Sequence, residues 1–320
     1  MSFDEQFHRS GLNGHSAART PGRKLRDQLG AGEPCQLMGA HDGLSARIAV
    51  AEGFDALWAS GLCMSTALGV RDSDEASWTQ LLTIVETMVE VVNAPILVDG
   101  DTGYGNFNTA RRFSTRAERI GAAGISLEDK IFPKMNSFFG DDHALAPESE
   151  FCGKIKACKD AQSDPDFVLV ARTEAMIAGL GVEVALERAE AYVAAGADAV
   201  FIHSRQPTAE QIESFMSSWH DRAPVVIAPT TYHTVTVGDF KCMGISGIIW
   251  ANQSMRAAFT AMRDTCREVK ATGGVFAVES SIASLKEIFS LLHYHQLDTE
   301  TAKYASFTPT PTSPFRTEPR

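Results

Sequence analysis

The chain has 320 residues, 44% hydrophobic and 22% charged, with a formal net charge of −11. That composition supports one large globular core or two smaller ones. The acidic balance, with no Lys/Arg cluster, makes nucleic acid and anionic membrane poor partners, so an anionic ligand would need local cations or a metal.

The first residues, MSFDEQFHRSGLNGHS, lack the apolar core of a secretion signal. No later run approaches the roughly 20 apolar residues of a membrane span. The six cysteines (35, 63, 152, 158, 242 and 266) form no CxxC and fall in predicted core elements. They read as small buried hydrophobes in a reducing cytoplasm, with Cys63 set apart by its place beside a candidate site loop.

Residues 1–34 are rich in Gly, Ser, Arg and His and predict a partly ordered arm with a short helix near 22–29. Apolar runs then recur at 36–40, 56–59, 95–98, 124–127, 167–171, 199–203, 225–228 and 247–250. Helical spacing follows most of them and is clearest over 78–92 and 182–195. In the former Leu81, Val85, Met88, Val89 and Val92 share one face. This alternation predicts a (β/α)8 TIM-type barrel over 35–304, a fold that typically takes about 250 residues. The competing open, doubly wound sheet lacks its GxGxxG turn after the first strand. Residues 305–320, dense in Pro and Thr, predict a disordered tail.

Chemistry in such a barrel sits at the C-terminal strand ends. The polar residues there are His41, Asp42, Ser60, Asp99, Asp101, Glu128, Arg172, His203, Thr230 and Asn252. Asp99, Asp101 and Glu128 would repel one another unless a cation joined them. A hard oxygen-bound ion, Mg2+, fits a set with no His or Cys at ligand spacing. The alternative for each acid is a helix cap or an Asx turn.

Arg172 closes an apolar strand. Either it pairs with Glu174 or the metal acids, or it clamps a carboxylate or phosphoryl group in two-pronged fashion. His203 is either a satisfied core histidine or a donor to developing phosphoryl charge. The turn Ser60-Gly61-Leu62 presents backbone N–H groups to an anion. Asp72 is either a site residue or a cap for the helix near Trp78, a task equally open to Ser73 or Asp74. The stretch 129–147 is long for a barrel loop and predicts a lid. Lys134 and Asn136, two apart, would face one side of it; the alternative is a solvated surface loop.

With these residues in place the chain resembles the phosphoenolpyruvate mutase / isocitrate lyase superfamily, and within it the mutase branch. The likeness covers about 36–300. It rests on SGL (60–62), GVRDSDEASWTQ (69–80), DGDTGYGNFN (99–108), EDKIFPKMNS (128–137), KIKACKD (154–160), VARTEA (170–175), HS (203–204) and IIWANQ (248–253). The resemblance implies a homotetramer of barrels that exchange their last helix, Mg2+, and interconversion of phosphoenolpyruvate and phosphonopyruvate. It implies direct ligation by Asp99, with Asp101 and Glu128 acting largely through water. The substrate carboxylate would meet the backbone at Gly61 and Leu62. Arg172, His203 and the lid residues Lys134 and Asn136 would contact substrate, with Asp72 near the transferring group. It also implies a coupled enzyme that consumes phosphonopyruvate.

Two branches compete. The isocitrate-type C–C lyases carry a general-acid cysteine in a Lys-Lys-Cys-Gly-His-type loop, where this chain has Lys130-Ile131-Phe132-Pro133-Lys134. Phosphonopyruvate hydrolase resembles the chain almost throughout but has threonine in place of Asn136. Many relatives have alanine at the position of Gly100, so glycine is expected to loosen that turn.

Overall fold

The computed structural model describes residues 19–140 and 143–305. The arm expected before residue 19 and nearly all of the expected tail lie outside the described residues.

Eight parallel strands close in sequence order into a barrel. They are β1 (Cys35–Ala40), β2 (Ala56–Ala59), β3 (Ile96–Asp99), β4 (Gly124–Glu128), β5 (Val168–Thr173), β6 (Ala199–Ile202), β7 (Val225–Ile227) and β8 (Gly247–Trp250). The helices are α1 (Pro21–Leu29), α2 (Gly43–Ala51), α3 (Gly61–Ala67), α4 (Trp78–Val91), α5 (Phe107–Arg119) and α6 (Glu148–Asp160). They continue with α7 (Gly181–Ala194), α8 (Glu210–Trp219), α9 (Val237–Cys242), α10 (Gln253–Thr272), α11 (Leu285–Leu291) and α12 (Tyr294–Tyr304). Ring closure is made by β1 against β8, Cys35 beside Gly247. The expected (β/α)8 barrel is therefore the fold.

The strands read as unbroken apolar runs because both faces are covered, the inner by packed side chains and the outer by helices. Leu37, Leu97, Val170, Phe201 and Ile249 fill the interior cluster with Trp58. On α4 the buried stripe is Leu81, Leu82, Val85 and Met88, while Val89 and Val92 are only partly buried. Ser77 and Gln80 cap this helix reciprocally, so neither Asp72, Ser73 nor Asp74 serves as its cap. Asn106, not Asp101, caps α5.

The expected helix near 22–29 is α1, which lies against the N-terminal side of β5. Arg26 donates to the Asp166 carbonyl and pairs with Asp198. Leu25 and Leu29 enter the cluster with Leu37 and Val168.

Two sequence expectations are corrected. Cys242 and Cys266 are exposed and Cys152 is only half-buried; Cys35, Cys63 and Cys158 are buried as expected. The helical stretches carrying the exposed pair turn those positions outward. Gly100 is not a loosening residue. A Cβ there would lie 2.7 Å from Phe113 Cε1 and 2.8 Å from Leu127 Cδ2, so this packing admits glycine alone without a shift.

The chain divides into two compact units, Met1–Ala257 and Ala258–Arg320. The first holds the barrel. The second holds most of α10, with α11 and α12. None of these three helices buries a residue fully. Phe259, Met262, Leu285, Phe289 and Leu297 are exposed, and Phe276 is 94% exposed. Among the described residues no helix is long and apolar enough to cross a membrane.

Candidate active site

The C-terminal strand ends and the lid enclose a cavity of about 60 Å3, a space for a small molecule. Strands β2 to β6 and β8 contribute to its wall, as does Ala228 just after β7, with Asp72 from the loop after α3 and residues 134–138 from the lid. His41 and Asp42 do not line it; Asp42 caps α2. Thr230 and Asn252 do.

Register sets the acids and the cations side by side. Glu128 at the end of β4 is the cross-strand neighbour of Arg172 on β5, with 3.4 Å between Glu128 Oε2 and Arg172 Nε. Asp99 ends β3 opposite Ser126 and accepts a hydrogen bond from the Gly61 N–H at 3.1 Å. A Cβ on Gly61 would lie 3.0 Å from Asp99 Oδ2 and 3.2 Å from Asp101 Oδ1. Glycine thus keeps open the space between these carboxylates. Asp101 is buried with a left-handed backbone, φ +47°, a strained conformation of the sort found where function over-determines geometry.

The lid is pinned at its base. Lys130 and Leu145 form an antiparallel bridge, and the Ala146 N–H donates to the Asp129 carbonyl. Its middle reaches the loop carrying Asp72. Lys134 Nζ sits 2.7 Å from Asp72 Oδ1 and 2.6 Å from Asp101 Oδ1. Asn136 Nδ2 donates to Asp72 Oδ2 at 2.6 Å, and the Lys134 N–H donates to Asp74 at 2.6 Å. Lys134 and Asn136 therefore face one side, as their spacing predicts, and they meet on Asp72.

Arg172 makes the ion pair that the first sequence reading names, with Glu174 at 2.5 Å, and its side chain also faces the cavity. Its guanidinium also lies over the Phe201 ring, 4.7 Å from the centroid. His203 is a buried, bonded histidine that also lines the cavity. Its Nδ1 is 2.9 Å from Glu174 Oε1 and 2.8 Å from Arg172 Nη2. Nδ1 donates to the carboxylate when it carries the proton and accepts from the guanidinium when it does not, so it is engaged in either tautomer and Nε2 is left for other use.

The charges are strongly tuned. Burial pushes the Asp101 and Asp99 carboxyls up, and Lys134 offsets this only in part, so Asp99 stands above its ordinary value and Asp101 well above it. Burial also raises Asp72, but Lys134 and Asn136 outweigh it and hold that carboxyl below its ordinary value. Glu174 is driven well below it, its burial outweighed by Arg172, His203 and Lys130. Lys134 stays charged despite burial because the acids surround it. Burial lowers His203, reinforced by Arg172 and opposed by Glu174, which keeps the ring neutral near neutral pH.

The residues fit an oxygen-bound divalent ion of one kind. Among the described residues, no three His, Cys, Asp or Glu side chains converge closely enough to ligate one ion directly. Glu128 Oε1 is nevertheless buried without a hydrogen-bond partner, and Glu128 and Asp99 line the same cavity. Mg2+, which retains several waters and takes one or two carboxylates, suits such a set.

Sequence reasoning missed the hub of the cationic wall. Glu174 is fully buried and gathers Arg172, His203, Lys130 and the Ser137 hydroxyl. It was visible only as a possible partner of Arg172 two residues before it. Asp129 was also missed. Its buried carboxylate accepts from Thr173, the Glu174 N–H, Arg188 and Tyr192, which ties β4, β5 and α7 together beneath the site.

Fold and site together define a (β/α)8-barrel enzyme with its chemistry at the C-terminal strand ends. The chain belongs to the phosphoenolpyruvate phosphomutase family, whose sequence model matches residues 25–270. It is 67% identical to the phosphoenolpyruvate phosphomutase of Streptomyces hygroscopicus, over 88% of this chain and 90% of that protein. It is 62% identical to that of Streptomyces viridochromogenes, over 92% and 95%. A phosphonopyruvate hydrolase from Variovorax sp. is 37% identical, over 89% and 99%. The crystal structure of the phosphoenolpyruvate phosphomutase from Streptomyces platensis subsp. rosaceus superposes with a TM-score of 0.87 at 40% identity, covering 89% of this chain and 99% of that one. Phosphonopyruvate hydrolase in complex with oxalate and Mg2+ superposes with a TM-score of 0.84 at 36% identity, over 90% and 100%.

Proposed function

We propose that this chain is a Mg2+-dependent enzyme that interconverts phosphoenolpyruvate and phosphonopyruvate. The observation that carries the reading is the pairing of a carboxylate mouth with an Arg172–His203 wall under a lid clamped to Asp72. The higher identity to phosphomutases than to the hydrolase supports the same branch, as does asparagine at position 136.

Phosphoryl transfer through a loose, metaphosphate-like state asks for positioning and positive charge more than for a strong nucleophile. Arg172 presents a guanidinium to phosphoryl oxygens, and neutral His203 presents its second ring nitrogen. Asp72 holds Lys134 and Asn136 over the cavity, so the lid contributes donors and excludes water. The turn Ser60-Gly61-Leu62 would seat the substrate carboxylate at Ser60 and Leu62, which line the cavity, while the Gly61 N–H is held by Asp99. Asp99 would hold Mg2+ directly, with Asp101 and Glu128 contributing through water. When bound, the ion supplies fixed positive charge for the carboxylate and enolate oxygens of pyruvate. The C–P bond breaks with its electron pair passing into the enolate, and the enolate oxygen takes the phosphorus.

The finer assignments belong to the same proposal. The assembly is a homotetramer exchanging its last helix, supported by the uncovered apolar residues of α10–α12. The location is the cytoplasm. A phosphonopyruvate-consuming enzyme, such as a decarboxylase, draws the reaction toward the less stable C–P bond.

A coupled assay tests the reading. With phosphonopyruvate, Mg2+, ADP, pyruvate kinase, lactate dehydrogenase and NADH, the account expects NADH oxidation that requires pyruvate kinase. Oxidation at the same rate without pyruvate kinase would mean direct release of pyruvate, the hydrolase reaction. Inertness toward phosphonopyruvate with turnover of a four-carbon acid would replace the proposal by a C–C lyase.

A further inference from the structure

The lid segment 134–137 spans the cavity and alternates its anchors. Lys134 and Asn136 bind Asp72 on one side. Met135 and Ser137 bind Lys130 on the other: Lys130 Nζ donates to the Met135 carbonyl at 2.8 Å and to Ser137 Oγ at 2.6 Å. Lys130 is itself held by the antiparallel bridge at the lid base. Its ammonium lies 3.3 Å from Glu174 Oε2, and Ser137 donates its own proton to that oxygen at 2.6 Å. Arg172 Nη2 reaches the same hydroxyl at 3.2 Å. Lys130, Ser137 and Glu174 are all buried.

We propose that the Lys130–Glu174 pair is the latch that holds the lid shut, and that it determines how much of the transferring phosphoryl group is lost to water. A buried ammonium demands hydrogen-bond acceptors. Two of those gathered here, Met135 O and Ser137 Oγ, come from the lid. With the lid away the ammonium would have to be served by water. Closure therefore turns an ion pair on the barrel into a lid anchor. It also places the Ser137 hydroxyl where one proton and two lone pairs are all used. Asn136 alone does not decide the outcome on this reading, because the Asp72 clamp is only one of two.

The second half of the proposal rests on the mutase reading. In the leak reaction a water oxygen bonds to phosphorus and the C–P bond breaks. Its electron pair passes to C3 of the pyruvate enolate, which takes a proton. Phosphonopyruvate and water thus give pyruvate and phosphate. The latch lowers the chance that water is present for that step.

Lys130→Met removes the charge with little change in bulk, Ser137→Ala removes only the hydroxyl, and Lys130→Arg retains the charge. Hydrogen exchange of the peptide spanning 131–140, in free protein, reads the lid without turnover. Phosphorus NMR of phosphonopyruvate with Mg2+ reads the ratio of phosphate to phosphoenolpyruvate. The expected result is lid exchange faster by about tenfold in Lys130→Met and Ser137→Ala. The phosphate share should rise by a similar factor, with partial recovery in Lys130→Arg. Unchanged lid exchange in both variants overturns the latch. Faster exchange with an unchanged phosphate share overturns its role in excluding water. If the unaltered protein forms no phosphoenolpyruvate, the mutase reading fails, while the exchange result still decides the latch.

Discussion

Asp72 and Glu174 divide the work of organising the site between two carboxylates. One gathers lid residues 134 and 136, and the other gathers the barrel cations with Ser137. Removing the charge in Glu174→Gln leaves buried cations without their counter-ion, a loss of about 3–5 kcal/mol for breaking a buried pair. The sign with pH follows from its depressed carboxyl. The stabilisation is complete above the unfolded value near 4.5 and is lost as pH falls from there through the folded value. Melting curves of Glu174→Gln and the unaltered protein should therefore differ most above pH 4.5 and converge below it; a constant gap would contradict the assignment. Asp99→Ala should abolish Mg2+-dependent turnover while leaving the circular dichroism spectrum native. Retained turnover would remove the metal assignment. The site acids, Arg172 and His203 were legible because each ends an apolar run in a barrel. Glu174, Lys130 and Ser137 were not, because their roles arise from burial under a lid whose docking no local pattern encodes.

At the scale of elements, apolar periodicity located every strand to within a residue or two at its ends. Two-face burial makes such strands uniformly apolar, so their ends are marked by the polar residues that follow. Gly100 escaped that logic. Its constraint comes from Phe113 on α5 and Leu127 on β4, partners that are distant in sequence. Gly100→Val should destabilise the fold by about 1–3 kcal/mol through overpacking, measured by urea unfolding; a neutral effect would mean the turn yields freely. The helix α1 shows the reverse case, an element foreseen in place but not in role. Leu25 is fully buried within the lower core cluster, so Leu25→Ala should lower stability by about 2–5 kcal/mol. A change under half a kcal/mol, by contrast, would show α1 to be dispensable to that core.

At the scale of the molecule, the barrel carries its own core, while the second unit leaves large apolar side chains uncovered. Sequence could not reveal this, because amphipathic spacing in α10–α12 is the same whether the partner is this chain or another. Light scattering after gel filtration should give a mass of four chains, and a chain ending at residue 257 should lose that assembly. A monomeric mass for the full chain would refute the tetramer. The central claim is that phosphorus moves between oxygen and carbon of one pyruvate skeleton inside a closed barrel mouth. Its most direct measurement is the phosphorus NMR time course of phosphonopyruvate with the protein and Mg2+. The account predicts that the phosphonate signal is replaced by that of phosphoenolpyruvate, with inorganic phosphate a minor product. Stoichiometric inorganic phosphate with pyruvate would contradict it.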